Sequence, residues 1–354
     1  MSLTQLKPAT SVSALINVPL IDPVPADVHR PLWSVMIPTY NRTKYLEQTL
    51  RSVLEQAPGP EVMQIEVIDN CSTKDDPVAL VERVGQERVS VYRQPHNVGM
   101  IANLTTCIQR ARGHLVHILH DDDVVLPGFY NRLQSGFEQD STIGAAFCRY
   151  AHVNEADRQQ YLLAAERNTP GILTNWVERI AIEQLIQPPA IVVKREVYEA
   201  LGGYYPDLGH AVDWEMWTRI AAHYPVWYEP QTLAHYRVHA ASDTSDLIRS
   251  GRNVVDTRKA IEIFQSYLPQ ATANTLADKA RENSAVWSLI IARRMLAKGD
   301  ISAMKAQIQE ALQCSRSPRV LGLLSLLPML AGMSRIRDVT SAWMSPWTSG
   351  KNAE

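Results

Sequence analysis

Short apolar runs alternate with amphipathic stretches along the first third of the chain. Four of these runs have the length and continuity of buried strands: 34–37, 64–68, 89–92 and 115–119. Between them, apolar residues recur at helical spacing, which predicts three helices: 46–54, 78–84 and 101–111. Strands that alternate with helices at this spacing form parallel sheets with helices on both faces. The sequence therefore predicts an α/β fold with a mostly parallel central sheet.

The rest of the chain divides into a less regular middle and a helical end. The middle is predicted to contain two strands and one helix: 143–148, 190–193 and 213–223. Helical spacing then predicts three further helices: 254–268, 276–297 and 303–312. The N-terminal segment has five prolines and little periodicity, which indicates an extended arm. The predicted division is an arm, an α/β domain and an all-α C-terminal region: 1–31, 32–245 and 250–354.

Polar residues stand directly after three of the predicted strands. They occupy 39–42, 69–70 and 121–123. Ligands of open α/β sheets bind at the carboxyl ends of the strands, because the strand ends and following loops meet there. These three segments are therefore the candidate site.

The third segment carries three consecutive carboxylates, Asp121, Asp122 and Asp123. Crowded like charges raise one another's pKa unless a cation holds them together. Hard oxygen ligands of this kind suit Mg²⁺ or Mn²⁺. The alternative is a solvated acidic turn with Asp123 as the N-cap of the next helix. Three consecutive aspartates in isolation would favour the solvated turn. Here they directly follow a strand of the predicted sheet, and this position favours a metal site.

Composition limits the class of partner and the setting. Of the 354 residues, 45% are hydrophobic, and 35 basic residues against 37 acidic ones give a net charge of −2. That balance provides no general attraction to nucleic acid. Four cysteines without metal-ligand spacing, and an N-terminus without a signal-like pattern, lead us to expect a cytoplasmic protein. The apolar run 320–333 is too short to span a bilayer, so it either packs internally or lies at the inner face of the membrane.

Five motifs resemble those of family 2 glycosyltransferases with the GT-A fold. In chain order they are the segments 35–42, 67–75, 97–103, 120–128 and 213–219. Each is loose alone, but five in the right order and spacing are specific. The resemblance covers about residues 32–240.

The resemblance implies transfer of a sugar, with inversion, from a nucleotide-sugar to a glycan or lipid-linked acceptor in surface polysaccharide synthesis. A UDP-sugar is the favoured donor, because Asp69 matches the residue that accepts a hydrogen bond from a uracil-like base. The residues implied in nucleotide-sugar binding are Pro38, Thr39, Tyr40, Asn41, Arg42, Asp69, Asn97, Gly99, Asn103 and Asp121.

The resemblance also implies a site for Mn²⁺ or Mg²⁺. Asp122 matches the main metal ligand, and Asp123 is expected to support it. His239 is expected to complete the metal shell or contact the diphosphate, and Arg237 to neutralise phosphate charge. A surface loop is the alternative for that segment.

Asp213 matches the catalytic base that takes the proton of the acceptor hydroxyl. The family often has an acidic residue just before the base, and here Val212 stands in that place. Glu215, two residues later, is therefore a second candidate. The alternative for Asp213 is the N-cap of the following helix.

Two other functions compete with this interpretation. A sugar nucleotidyltransferase would need a glycine-rich phosphate loop after the first strand, where this chain has 38–42. A non-catalytic carbohydrate-binding or scaffold protein is disfavoured by Asp122 and Asp213.

The spacing of His114, His117 and His120 suggests one shared strand face, but no partner residues complete a zinc site.

Overall fold

The computed structural model describes residues 18–239 and 243–333. Ten strands, β1 to β10, are formed in chain order by Trp33–Thr39, Met63–Asp69, Ser90–Arg93, Leu115–Ile118, Val124–Val125, Ala145–Val153, Gln159–Leu162, Gly171–Ile172, Ile191–Lys194 and Val226–Arg237. Twelve α-helices, α1 to α12, are formed by Thr43–Leu54, Pro77–Gly85, Met100–Arg110, Phe129–Gln139, Trp176–Ile180, Arg195–Leu201, Val212–His223, Asp243–Ser250, Arg252–Gln265, Ala273–Ala297, Ile301–Cys314 and Pro318–Met333. Two short 3₁₀ helices lie at Gln86–Arg88 and Pro188–Ala190.

All the described strands belong to one sheet, whose main path runs β3-β2-β1-β4-β9-β6-β10-β5. The first four strands on this path run parallel to one another. β9 then runs antiparallel to both β4 and β6, whereas β6 and β10 pair in parallel. The short strands β5 and β8 pair antiparallel with β10, and β7 with β6. The predicted α/β class is confirmed, and the second half of the chain adds antiparallel pairs to the parallel half.

Helices cover both faces of the sheet, because side chains alternate along each buried strand. Val35 and Ile37 of β1 pack with Leu46 and Leu50 of α1 on one face. Met36, between them, belongs to the cluster on the other face. That second cluster contains the helices α3, α6 and α7.

The N-terminal segment and the first two C-terminal helices that follow α8 pack against this core. Val18 and Ile21 are buried, and the carbonyl oxygen of Pro19 accepts a 2.8 Å hydrogen bond from the backbone N–H of Gly203. The helix α9 and the start of α10 extend the core cluster around α7, whereas the rest of α10 packs with α11 and α12. The division of the chain at 245–250 stays a prediction. No helix among the described residues is long and apolar enough to cross a membrane.

The prediction that Asp123 caps the next helix in a solvated turn is wrong. Asp123 is buried and is followed by β5, and the helix α4 begins only at Phe129. Gly128 precedes that helix in the left-handed region with φ +91°. The carboxylate of Asp123 accepts instead from the backbone N–H of Arg237, far along the chain.

Candidate active site

The polar segments after β1 and β4 meet at one edge of the sheet, as their parallel pairing requires. The hydroxyl of Thr39 donates a 2.6 Å hydrogen bond to Oδ2 of Asp121. Nη1 of Arg42 forms ion pairs with Asp121 and Asp122. The loop that leads into α1 is thereby fastened to the acidic cluster, which we define as Asp121, Asp122 and Asp123.

All three carboxylates of the acidic cluster are buried. Oδ2 of Asp122 lies 2.9 Å from Nε2 of His239, which the sequence also placed in this site. Oδ1 of Asp123 accepts a 2.8 Å hydrogen bond from the backbone N–H of Arg237. Its other oxygen, Oδ2, is buried without a hydrogen-bond partner among the described residues.

The environment drives the pKa values of Asp122 and Asp123 apart. Burial raises the pKa of Asp122, but the hydrogen bond with His239 and the charge of Arg42 outweigh it and leave the pKa below its ordinary value. Burial and the neighbouring charge of Asp122 raise the pKa of Asp123 well above its ordinary value. Carboxylates that share a site behave in this way when no cation is present. A divalent cation would relieve both the repulsion and the buried, unpartnered oxygen of Asp123.

The residues present therefore fit a divalent metal ion. One ligand atom from each of His120, Asp122 and Asp123 lies within 4.8 Å of the other two. His120 is the member without a predicted role, because the expected shared face of the three histidines offered no partner residues for zinc. That expectation of a shared face is wrong. His117 is fully buried, with its ring stacked on Phe129, while His120 lies beyond the end of β4. Residues three apart on a strand point to opposite faces, so the spacing itself places His117 on the face opposite to that of its two neighbours in the series.

Arg237 lies beneath the acidic cluster rather than facing a ligand. Its guanidinium is buried, donates to the carbonyl oxygen of Asp122 at 2.8 Å and forms a 2.7 Å ion pair with Asp157. The centroid of the Tyr45 ring lies 4.6 Å from this guanidinium and 5.4 Å from the centroid of the His239 ring. These contacts hold Arg237 against Asp122 and Asp157, and its expected role toward phosphate stays a prediction.

Asp69 and Asn41 organise the loop after β2. Oδ1 of the buried Asp69 accepts from the backbone N–H of Ser72 at 2.9 Å, and Oδ2 pairs with Arg93 at 2.7 Å. Asn41 has a φ of +51°, and its Oδ1 accepts from the backbone N–H groups of Thr73 and Lys74. The loops after β1 and β2 are thus tied together. Pro38 lies at the end of β1, and Tyr40, 41% exposed, follows on the solvent side.

The asparagine-glycine segment before α3 is held close to this loop. Oδ1 of Asn97 accepts a 3.0 Å hydrogen bond from the side chain of Asn70. Gly99 has a φ of +86° and precedes the first residue of α3. Asn103 is buried and donates to the carbonyl oxygen of Ile68 at 3.1 Å. The structure brings Asn97 and Gly99 near the end of β2, and places Asn103 inside as a link between α3 and β2.

Asp213 lies in the first turn of α7. The N-cap is Ala211, so the alternative that Asp213 caps this helix is wrong. Its Oδ1 is buried without a hydrogen-bond partner among the described residues, and burial raises the pKa of the carboxyl. His120 interacts electrostatically with both Asp213 and Asp122. His120 thus contributes to the electrostatic surroundings of both carboxylates, and the catalytic role of Asp213 stays a prediction.

Glu215 points away into the core. It is 0% exposed and forms a buried ion pair with Arg219, one helical turn later. Its Oε1 also accepts a 2.9 Å hydrogen bond from the hydroxyl of Tyr267. Arg219 in turn donates to the carbonyl oxygens of Leu201 and Gly203. The hydrogen bonds of this ion pair fasten α7 to Tyr267, just after α9, and to the end of α6 and the loop that follows it. They also occupy the carboxylate of Glu215.

The model of the family described as glycosyl transferase family 2 matches residues 34–202. An uncharacterized protein of Mycobacterium tuberculosis, MT1568, is 31% identical over 246 residues, which cover 66% of this chain and 75% of that protein. The putative teichuronic acid biosynthesis glycosyltransferase TuaG of Bacillus subtilis is 35% identical over 97 residues, which cover 27% of this chain and 37% of that protein.

Solved structures with the same fold come from glycosyltransferases. Residues 1–349 of S. aureus TarS, in complex with UDP-GlcNAc, superpose with a TM-score of 0.64 at 17% identity, covering 86% of this chain and 87% of that one. The mannosyltransferase PcManGT of Pyrobaculum calidifontis, in complex with GDP-Man and Mn²⁺, superposes with a TM-score of 0.55 at 21% identity, covering 90% of this chain and 91% of that one. These likenesses confirm the predicted GT-A fold. The family match and the relatives show that this chain belongs to glycosyltransferase family 2 and is a glycosyltransferase.

Proposed function

We propose that this chain is an inverting, metal-dependent glycosyltransferase with Asp213 as its catalytic base. The donor is a nucleotide-sugar, with UDP as the favoured nucleotide, and the acceptor is a glycan or lipid-linked glycan of a surface polysaccharide. The observation that carries the proposal is the buried oxygen of Asp213, which has no hydrogen-bond partner among the described residues, in a carboxyl that interacts electrostatically with His120 of the metal-binding group. A carboxyl whose pKa is raised by burial is suited to accept the proton of a sugar hydroxyl.

The proposed donor site follows the edge described above. Thr39, Asn41 and Arg42 would line it, and Asp69 would meet the base. The two oxygens of Asp69 already accept from Ser72 and Arg93, but each carboxylate oxygen has room for a second donor. Arg93 and Ser72 hold this carboxylate still, and a fixed acceptor favours a base that presents an N–H group.

The proposed metal site consists of Asp122, Asp123 and His239, with Asp121 supporting the loop through Thr39 and Arg42. When bound, a divalent cation supplies positive charge to the leaving diphosphate as the glycosidic bond breaks. The protein holds Asp122 in its ionised form, because His239 and Arg42 lower its pKa. The buried backbone contacts of Arg237 keep the carboxylates of Asp122 and Asp123 side by side.

Nucleotide release from sugar nucleotides tests the proposed function directly. We expect this protein to release UDP from one UDP-sugar in the presence of Mn²⁺, and to lose most of that release when the metal is chelated. Donors built on UDP, GDP and dTDP are compared in the same assay, together with their thermal stabilisation of the protein. A donor that binds without release would support a carbohydrate-binding or scaffold protein. Release of diphosphate from a nucleoside triphosphate and a sugar phosphate would support a nucleotidyltransferase.

We also propose a peripheral membrane contact through α12, because lipid-linked acceptors lie at a membrane surface. Val320 of this helix is buried against α10 and α11, but Leu321 and Leu326 are 47% and 44% exposed. Arg316 and Arg319 lie at its N-terminal end, where they would meet anionic lipid. The residues predicted to extend this surface lie outside the described residues: Arg335, Arg337, Trp343 and Trp347.

Two variants separate membrane contact from internal packing. Replacing Leu321 and Leu326 together by Gln should abolish binding to anionic liposomes without lowering the melting temperature. Truncation after Cys314 should likewise abolish liposome binding. Unlike the double substitution, it should lower the melting temperature by several degrees, because it removes the buried Val320. Leu20→Gln, at an exposed leucine in the N-terminal segment, serves as the matched control. If the full-length protein does not bind liposomes, the apolar run serves packing alone.

A further inference from the structure

The imidazole of His120 belongs to the metal-binding group of the acidic cluster, although the family motif assigns it no role there. One of its ring nitrogens lies within 4.8 Å of ligand oxygens of both Asp122 and Asp123. The residue is half-buried, whereas the two carboxylates are buried. A cation between these three groups would therefore meet the imidazole on the side that faces solvent.

A tight turn places the histidine and the carboxylates on the same side. The backbone N–H of Asp123 donates a 3.2 Å hydrogen bond to the carbonyl oxygen of His120. This bond closes the chain over residues 120–123, so that both ends of the motif approach each other. The Oδ2 atom of Asp123, in a residue that is 1% exposed, has no hydrogen-bond partner among the described residues. An acceptor that is buried without a donor is an independent sign that a cation completes the site.

Of the other two histidines near the cluster, His239 contacts one of the two carboxylates and His117 lies in the core. Nε2 of His239 is 2.9 Å from Oδ2 of Asp122. The two ring nitrogens of His117 contact the hydroxyl of Tyr130 and the carbonyl oxygen of Pro189. Of the three, His120 is the one whose nitrogen lies among the ligand oxygens of both Asp122 and Asp123.

We infer that His120 is a direct ligand of the metal site and makes the site prefer Mn²⁺ over Mg²⁺. Mg²⁺ is a hard cation that takes oxygen ligands and gives up its waters reluctantly. An imidazole nitrogen suits first-row transition ions better, so the imidazole of His120, added to Asp122, Asp123 and the proposed ligand His239, strengthens the preference for a transition ion. This inference rests on the proposed metal dependence and adds to it a ligand and an ion preference.

Metal affinity measured without turnover tests the inference. Free Mn²⁺ is followed by its electron paramagnetic resonance signal, with and without UDP, and Mg²⁺ is measured by competition. His120→Ala should weaken Mn²⁺ binding about tenfold or more and Mg²⁺ binding by less than about threefold. His120→Gln, which replaces the nitrogen by a hard amide oxygen, should reduce the preference for Mn²⁺ while retaining Mg²⁺ binding. His114→Ala, at a histidine near α6, serves as the matched control and should leave both affinities unchanged.

The outcomes separate this inference from the proposed function. Mn²⁺ binding that survives in both His120 variants, or falls equally for the two ions, overturns the role of His120. If Asp122→Asn abolishes binding while the His120 variants retain it, the metal dependence stands and only the inference fails. If Asp122→Asn also binds Mn²⁺ like the wild type, or the wild type binds none, both are overturned.

Discussion

Asp122→Ala is expected to lower nucleotide-sugar turnover about a hundredfold or more, which is the range found when one stabilising group is lost from a transition state. The carboxylate is buried between Arg42 and His239. Its removal takes away the ligand that the protein holds ionised, and with it the charge that supports a cation beside the diphosphate. The Mn²⁺-dependent part of nucleotide binding should disappear in the same variant. Turnover is measured by nucleotide release, and binding by calorimetry with and without Mn²⁺.

Asp278→Ala is the matched control for Asp122→Ala. Asp278 is an exposed carboxylate of α10 that pairs with Arg281, away from the acidic cluster. This variant should keep wild-type turnover and metal response. Near-wild-type turnover in Asp122→Ala would show that the metal is held elsewhere. A normal circular dichroism spectrum of Asp122→Ala is needed, because the change leaves Arg42 and His239 without their shared partner.

The edge of the sheet that holds the site could be predicted because its signals are local. Buried strands are visible as apolar runs, and parallel pairing brings their ends together whatever the loops contain. The hydrogen bond between Thr39 and Asp121 joins two such strand ends, as the predicted sheet requires. The order of β9, β6 and β10 has no comparable signal. Antiparallel insertion of β9 between β4 and β6 depends on packing between distant segments.

The burial of Asp123 could not be predicted for a related reason. A run of carboxylates before a helix has the local pattern of a capping turn. The backbone N–H of Arg237, 114 residues later, donates the hydrogen bond that holds the carboxylate of Asp123 in the interior. β5 adds a second long-range contact, since Val124 and Val125 pair with β10. Long-range partners of this kind have no periodicity in the sequence.

The ion pair of Glu215 could have been predicted from a local pattern in the sequence. Glu and Arg four residues apart on a helix form ion pairs, and Glu215 and Arg219 have that spacing. The motif instead suggested that an acidic residue near Asp213 shares its role. The structure distinguishes the two carboxylates by their partners, because Glu215 is held by Arg219 and Tyr267. Oδ1 of Asp213, in contrast, is buried without a hydrogen-bond partner among the described residues.

Asp213→Asn is expected to lower kcat about a hundredfold or more while the affinity for the donor changes little. The amide keeps the size and hydrogen bonds of the carboxyl but cannot accept a proton from the acceptor hydroxyl. A base must be deprotonated to act, so wild-type kcat/KM should fall as the pH drops through the pKa of Asp213. Burial raises that pKa, which places the fall at a higher pH than for an ordinary carboxyl. The Asn variant should lack this acidic limb.

Glu215→Gln separates a base from a structural carboxylate in the same helix. It weakens the buried ion pair with Arg219, so we expect a lower melting temperature and a kcat within about tenfold of wild type. A larger catalytic defect in Glu215→Gln than in Asp213→Asn would move the base to Glu215. An equal loss of donor affinity and kcat in Asp213→Asn would make Asp213 a binding residue. The pH profile decides between the two carboxylates: the acidic limb that the raised pKa of Asp213 predicts should be lost in Asp213→Asn and kept in Glu215→Gln.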